Sequence, residues 1–204
     1  LPKHPIDSFG KPRTISTLEN SIVKLPITIY LIRHATPDWS RTDIPYHVPP
    51  GPPLTPQGES EAKELGEYLR DTGIVHLEAS PLERCSRTAS IAAEIVGVQA
   101  IQEHGLSEWT PEDKREDVQA RVMPIVERAS QSDDPLALVT HGGPIRLILE
   151  ELGLDSLLIE HYRKLFDRNN PVPPAGAWKA ERSNGSWKLT LAFVPEAYKS
   201  KLVV

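Results

Sequence analysis

Three short stretches of the chain place cationic or nitrogen-bearing side chains beside glycine or a helix start: Arg33-His34, Ser80 to Arg84, and His141-Gly142-Gly143. Backbone N–H groups at helix starts, glycines that permit close approach, and the fixed charges of Arg33 and Arg84 are the ingredients of an anion pocket, most naturally one for phosphate. A neutral imidazole inside such a pocket can attack phosphorus, because it carries no negative charge for a bound phosphate to repel. The chemistry these residues favour is phosphoryl transfer. Taken singly, each stretch has a plainer explanation: Arg-His is a common element boundary, His-Gly-Gly a turn, and Arg84 a solvated helix residue.

Stepping from the residues to what must hold them, each stretch follows an apolar run. Ile27-Thr28-Ile29-Tyr30-Leu31-Ile32 is free of charge and mostly β-branched, which predicts a strand buried on both faces and hence a parallel sheet. Ligands of open α/β sheets bind outside the carboxyl ends of such strands, where Arg33 and His34 stand. Residues 74–79 predict a second, weaker strand before Ser80-Pro81, and 136–140 a third before His141. Thr55-Pro56 reads as an N-cap with Pro at the first helical position, opening a helix with Ala62, Leu65 and Leu69 on one face. A further helix follows Ser80-Pro81, its stripe Leu82, Cys85, Ala89, Ala92 and Val96 ending at Gly97.

Residues 98–101 fit an edge strand, 107–113 a loop, and about 112–129 a helix that Pro124 should kink or interrupt. An apolar run at 145–152 follows His141-Gly142-Gly143-Pro144, and residues 157–166 read as helical. Asn184-Gly185 between 177–182 and 187–193 signals a closing antiparallel hairpin. Alternating strands and helices argue an α/β fold with right-handed crossovers. The long Pro-rich loop 35–54, with Trp39, Arg41, Tyr46 and His47, reads as a lid. His4, His76, His104, His161 and Arg87 are expected at the surface or in loops, as is His47 unless the lid touches a ligand.

The chain has 204 residues, room for one sizeable core, with residues 1–24 read as an arm of unknown role and 25–204 as the domain. A formal charge of -5 excludes a general nucleic-acid binder, which needs surplus Lys and Arg to displace counterions. No apolar run is long enough to span a bilayer, so no membrane partner is expected. The single cysteine, Cys85, permits no intrachain disulfide and suits a reducing, cytoplasmic setting, and the first twenty residues lack the apolar core of a secretory signal.

At this point the chain resembles a known family. Arg33-His34-Ala35-Thr36-Pro37-Asp38-Trp39 is similar to the Arg-His-Gly signature of the histidine phosphatase superfamily, which includes the phosphoglycerate mutases. Leu54-Thr55-Pro56-Gln57-Gly58, Ser80-Pro81-Leu82-Glu83-Arg84 with Thr88-Ala89, Gly105-Leu106-Ser107-Glu108-Trp109 and Thr140-His141-Gly142-Gly143 follow in the family's order. The resemblance implies a mainly parallel sheet with helices on both faces. It implies His34 as the phosphorylated nucleophile, Arg33 and Arg84 as phosphate clamps, His141 as a second phosphate contact beside Gly142, and Glu108 as the proton donor. It calls for no cofactor and no metal. A zinc site built on His34 and His141 has no Cys or clustered carboxylate in sequence to complete it.

Two positions depart from the pattern. Ala35 replaces the common Gly, and Ser40 stands where many members have an Asn that contacts phosphate; Arg41 is the candidate substitute. Cys85 and Ser86 are expected to serve helix packing and surface. The first function expected is a metal-independent phosphatase acting on a phosphorylated small molecule or a phosphoprotein, with a homodimer allowed. A phosphoglycerate-type mutase is the enzymatic alternative, and a phosphate-binding scaffold that has lost turnover the non-enzymatic one.

Overall fold

The computed structural model describes residues 26–202, so the arm assigned to 1–24 lies outside the described residues. The first strand, β1 (Ile27–Arg33), is buried from Thr28 onward. Its side chains alternate between two cores, Ile29 and Leu31 entering one and Tyr30 and Ile32 the other. Each fully buried Leu or Ile of this kind contributes roughly 1.5–3 kcal/mol, which is why a charge-free run ends up central.

Next come α1 (Pro56–Leu69), β2 (His76–Ala79), α2 (Glu83–Val96) and β3 (Gln99–Gln102), then α3 (Arg115–Ala129), β4 (Leu136–Thr140) and α4 (Gly142–Glu151). The chain closes with α5 (Ser156–Leu165), β5 (Ala177–Ser183), β6 (Ser186–Phe193) and the short α6 (Glu196–Lys199). One six-stranded sheet runs in the order β3-β2-β4-β1-β5-β6. The pairs β1·β4, β2·β4 and β2·β3 are parallel, while β1·β5 and the hairpin β5·β6 are antiparallel. Helices α1 and α2 cover the face of Tyr30 and Ile32; α3, α4 and Ile159 of α5 cover the other.

The sequence reading is corrected at several boundaries. The second strand starts at His76 and not at 74, and the helix after Ser80-Pro81 begins only at Glu83 with Leu82 as its N-cap. Pro124 lies inside α3 without interrupting it, and that helix begins at Arg115. Edge strand β3 is exposed throughout.

Strand register does the work of assembling a site. Ile32 pairs with Val139, and Val139 with Ala79, so β1, β4 and β2 end level with one another. The amide of His34 donates to the Thr140 carbonyl at 2.9 Å, and that of Ser80 to the Val139 carbonyl at 3.0 Å. Each residue that follows its strand therefore emerges at the same sheet edge.

The loop 35–54 is closed at its base by a bridge between Pro37 and Leu54, and by the Thr55 amide donating to the Thr36 carbonyl at 3.0 Å. Thr55 then caps α1, its hydroxyl accepting from the Gly58 amide at 3.0 Å. A Cβ at Gly58 would lie 2.2 Å from the Thr36 carbonyl oxygen, so only glycine lets the helix start press against the loop root. Buried Glu61 accepts from the Thr36 amide, the Thr36 hydroxyl and the Tyr198 hydroxyl, fixing the segment just after His34 to α1 and α6.

Candidate active site

His34 is buried with its Nδ1 2.8 Å from the Ala35 carbonyl oxygen. A carbonyl can only accept, so Nδ1 carries the proton and Nε2 keeps its lone pair. Burial, followed by the charges of Arg84 and Arg33, holds the imidazole well below the ordinary histidine range, so it is neutral at pH 7. The ring of His141 lies 5.2 Å away, centroid to centroid. His141 is also pushed well below its usual range by burial and then by Arg84. Its Nε2 is 2.9 Å from the Ser80 hydroxyl and its Nδ1 3.3 Å from Glu108 Oε2.

Two buried arginines flank these rings. Arg33 donates from Nη1 and Nη2 to the two carboxylate oxygens of Asp167, at 2.6 and 3.0 Å, and from Nη1 to the Val172 carbonyl at 3.1 Å. Arg84 donates from Nη1 to the Tyr46 carbonyl at 2.9 Å, with its Cζ 3.9 Å from the centre of the Tyr46 ring. That leaves Arg33 Nε, Arg84 Nε and Arg84 Nη2 buried with no hydrogen-bond partner among the described residues. Leaving such charged donors unsatisfied costs about 1–3 kcal/mol each or more, a cost that a bound oxyanion removes.

Glu108 reaches the same pocket from the loop after β3, with Oε2 3.7 Å from Arg84 Nη2. Its backbone is fixed by Arg121, which donates to the carbonyls of Gly105, Ser107 and Glu108. Burial raises the Glu108 carboxyl above its ordinary range against the opposing pull of Arg84, which suits a group that must hold a proton. Glu103, the neighbouring acid in the chain, instead accepts from the Gly105 amide and faces Arg128.

Contrary to the sequence expectation, a carboxylate does join the two histidines: His34, Glu108 and His141 bring ligand atoms within 4.8 Å of one another. Arg33 and Arg84 beside them nonetheless give the pocket the charge of an anion site. Cys85 is fully buried on the apolar stripe of α2, as its place in that stripe predicts. Its Sγ lies 3.4 Å from His141 Nε2, and burial pushes its thiol up, leaving it inert.

Ser40 and Arg41 sit on the exposed lid. Ser40 donates its amide and hydroxyl to Asp38, and Arg41 forks onto Asp43, so neither hydrogen-bonds to the histidines or the clamps. Arg41 does line, with Trp39, Tyr46, His47 and Glu108, a cavity of about 640 Å³ over the pocket. Gly142 is the first residue of α4, and a Cβ there would lie 1.5 Å from Asn170 Oδ1. Its glycine thus serves the approach of Asn170.

Asp167, Arg168 and Asn170 are the residues that sequence reasoning missed. They lie in the turn between α5 and β5, where Asp167-Arg168-Asn169-Asn170-Pro171 is a run of turn formers around one cation. Arg168 and Asn169 hold positive φ of 49° and 61°, and the Arg168 guanidinium stacks 3.4 Å from the centre of the Trp39 ring, tying this turn to the lid.

A sheet edge that gathers two neutral histidines, two arginines with unsatisfied donors and a carboxyl of raised pKa defines a histidine-based anion pocket on an α/β frame. The family model of the histidine phosphatase superfamily (branch 1) matches residues 29–113. The chain is 37% identical over 82 residues to the probable phosphoglycerate mutase GpmB of Klebsiella pneumoniae, a match covering 40% of this chain and 38% of that relative. It is 26% identical over 155 residues to the uncharacterized phosphatase PhoE of Bacillus subtilis, covering 61% of this chain and 76% of the relative. In structure it is similar to a mycobacterial glucosyl-3-phosphoglycerate phosphatase, with a TM-score of 0.62 at 19% identity over 81% of this chain and 98% of that one. It is also similar to a phosphoglycerate mutase from Bacillus anthracis, with a TM-score of 0.67 at 16% identity over 87% and 97% of the two chains. Residues 29–113 thus match the sequence model of that superfamily, and the fold around them is the one these solved structures share.

Proposed function

We propose that this protein is a metal-independent phosphomonoesterase working through a phosphohistidine on His34. The observation that carries the reading is a single one: His34, with Nδ1 tied to the Ala35 carbonyl, lies between Arg33, whose buried Nε lacks a partner, and Arg84, whose buried Nε and Nη2 lack one among the described residues. Attack by Nε2 forms the N–P bond as the ester P–O bond breaks, and Glu108 gives its proton to the leaving oxygen. Water then attacks phosphorus, Glu108 takes back a proton, and the N–P bond breaks to release inorganic phosphate and free His34. Arg33, Arg84 and His141 stabilise charge on the equatorial oxygens throughout.

The mutase reading draws support from the names of the curated relatives, of which this chain matches 38% of the length. Hydrolysis is favoured because only α3 and its flanking loops separate Glu108 from β4, leaving no long insertion to shield the phosphohistidine from water. No helix among the described residues is long and apolar enough to cross a membrane. A phosphorylated metabolite or phosphoprotein in a reducing, cytoplasmic compartment completes the proposal. Rapid-quench labelling with a radioactive phosphomonoester tests it: acid-labile label should map to His34. Label on another residue, or wild-type turnover by His34→Ala, would refute it.

A further inference from the structure

We propose a second anion site beside the phosphate pocket, built by Arg146, Arg163 and Arg168, which takes a carboxylate or phosphate on the leaving group of the substrate. The inference rests on the phosphatase reading of the pocket. It concerns a cavity of about 360 Å³ that shares Glu108, Arg168 and Asn170 with the lid cavity and so opens directly onto the carboxyl that would protonate the leaving oxygen.

Three elements converge there. Arg146 comes from the second turn of α4, Arg163 from the last turn of α5, and Arg168 from the turn that follows. Gly142 and Gly143, the first residues of α4, also line the cavity, and their amides have no acceptor within the helix. Trp109 forms one wall, with the Arg146 guanidinium 5.4 Å from its ring centre.

The arginines are incompletely neutralised. Arg168 has no ion pair among the described residues; its guanidinium lies over Trp39 instead. Arg146 Nε is buried without a hydrogen bond, and its nearest carboxylate oxygen, Glu150 Oε1, is 3.8 Å away while the other oxygen of Glu150 is held by Arg115. Arg163 pairs with Glu160 at 3.1 Å and donates to the Asn169 carbonyl. Glu108 is the single carboxyl among the lining residues, so cations outnumber it by three to one. Such a lining selects an oxyanion and disfavours a neutral or cationic leaving group.

The positive φ of Arg168 and Asn169 is consistent with a purpose. An extended or helical backbone would carry this turn elsewhere, and holding two non-glycine residues in the left-handed region costs of order 1 kcal/mol or more each. The conformation places Arg168 in both cavities at once, between Trp39 of the lid and Asn170 against α4.

The test uses the full chain and a matched set of alkyl phosphates whose chain ends in methyl, carboxylate or a second phosphate, in a short and a longer version. Turnover is measured on the wild type, and binding is measured by calorimetry on His34→Ala. Both anionic classes should show kcat/KM raised and Kd lowered about tenfold over the methyl compounds, the scale of one hydrogen bond to a charged group. Arg146→Gln and Arg163→Gln, at partly exposed positions that line the second cavity and not the lid cavity, should erase that preference while kcat/KM for the methyl compounds stays within about twofold of wild type. A preference for one terminus alone identifies it as the group selected. Equal binding of all three classes, or a preference that survives both substitutions, overturns the anion site. Preferential binding with no turnover of any compound overturns the phosphatase reading and leaves the site standing.

Discussion

Asp167 and Arg33 form a two-pronged ion pair, Oδ1 to Nη1 at 2.6 Å and Oδ2 to Nη2 at 3.0 Å, across 134 residues of chain. The carboxylate is one-third exposed whereas the guanidinium is 2% exposed, so the acid serves the base rather than the reverse. With both terminal nitrogens fixed, Arg33 keeps only Nε unpartnered, which sets the orientation in which it can meet a phosphate.

Replacing Asp167 should therefore act through Arg33. Asp167→Ala should raise KM for phosphomonoesters about tenfold and destabilise the fold by about 1–3 kcal/mol, while Asp167→Asn, which keeps one acceptor, recovers part of both. Steady-state kinetics and urea unfolding measure the two effects; an unchanged KM in the alanine variant would mean that Val172 alone suffices to orient Arg33.

Glu108→Gln separates acid catalysis from charge. Alkyl phosphates should slow by about 10²–10⁴-fold because their leaving oxygens require a proton, and aryl phosphates much less. Equal slowing of the two classes would assign Glu108 a structural role.

The pH profile follows from the directions of two shifts. His34 must be neutral to attack and is depressed below the ordinary imidazole range, so activity should hold through pH 6.5 and fall only on further acidification. Glu108 must be protonated and is raised above the ordinary carboxyl range, so turnover of alkyl phosphates should decline as pH climbs through that raised value. Stability has a related sign. A histidine whose folded pKa is depressed binds fewer protons than in the unfolded chain, so the contribution of His34 and His141 is full above the unfolded value and is lost as pH falls toward the folded one. Denaturant midpoints should drop across that interval, and a midpoint flat from neutrality into acid contradicts the buried neutral histidines.

Chelation should leave activity intact, since Arg33 and Arg84 supply the positive charge that a divalent ion provides elsewhere, and vanadate should inhibit as a trigonal-bipyramidal mimic. Loss in EDTA that a divalent metal restores is the contrary result, and the clustering of His34, Glu108 and His141 gives such a metal a place to bind.

Incubation with 3-phosphoglycerate and a trace of its 2,3-bisphosphate decides between hydrolysis and mutase turnover. Inorganic phosphate should appear faster than 2-phosphoglycerate. The reverse order means that the lid excludes water better than its Pro-rich sequence suggests.

What the sequence made legible was the part governed by local pattern. The runs ending at Ile32 and Thr140 identify β1 and β4, and parallel pairing brings their next residues together whatever the loops do. The lid and the 167–171 turn were illegible because their structure is made by distant partners. Nothing near Trp39 announces that Arg168 will stack on it, and nothing near Arg33 announces Asp167. Ser40 and Arg41 drew notice by position in a motif, yet their short-range bonds to Asp38 and Asp43 keep them at the surface.

The level strand ends have a dynamic corollary. The amides of His34 and Ser80 are ladder bonds to Thr140 and Val139, so the walls of the pocket cannot breathe without parting the central strands. In native-state hydrogen exchange those two amides should open only with the whole molecule, at the free energy of β4 itself. Lid amides such as Arg41 and Ile44, bonded only within their own loop, should open at far lower cost. Substrate can then enter and leave through a yielding roof over a floor that yields only when the protein unfolds; a His34 amide that exchanged at the rate of the lid would show the floor to be loose as well.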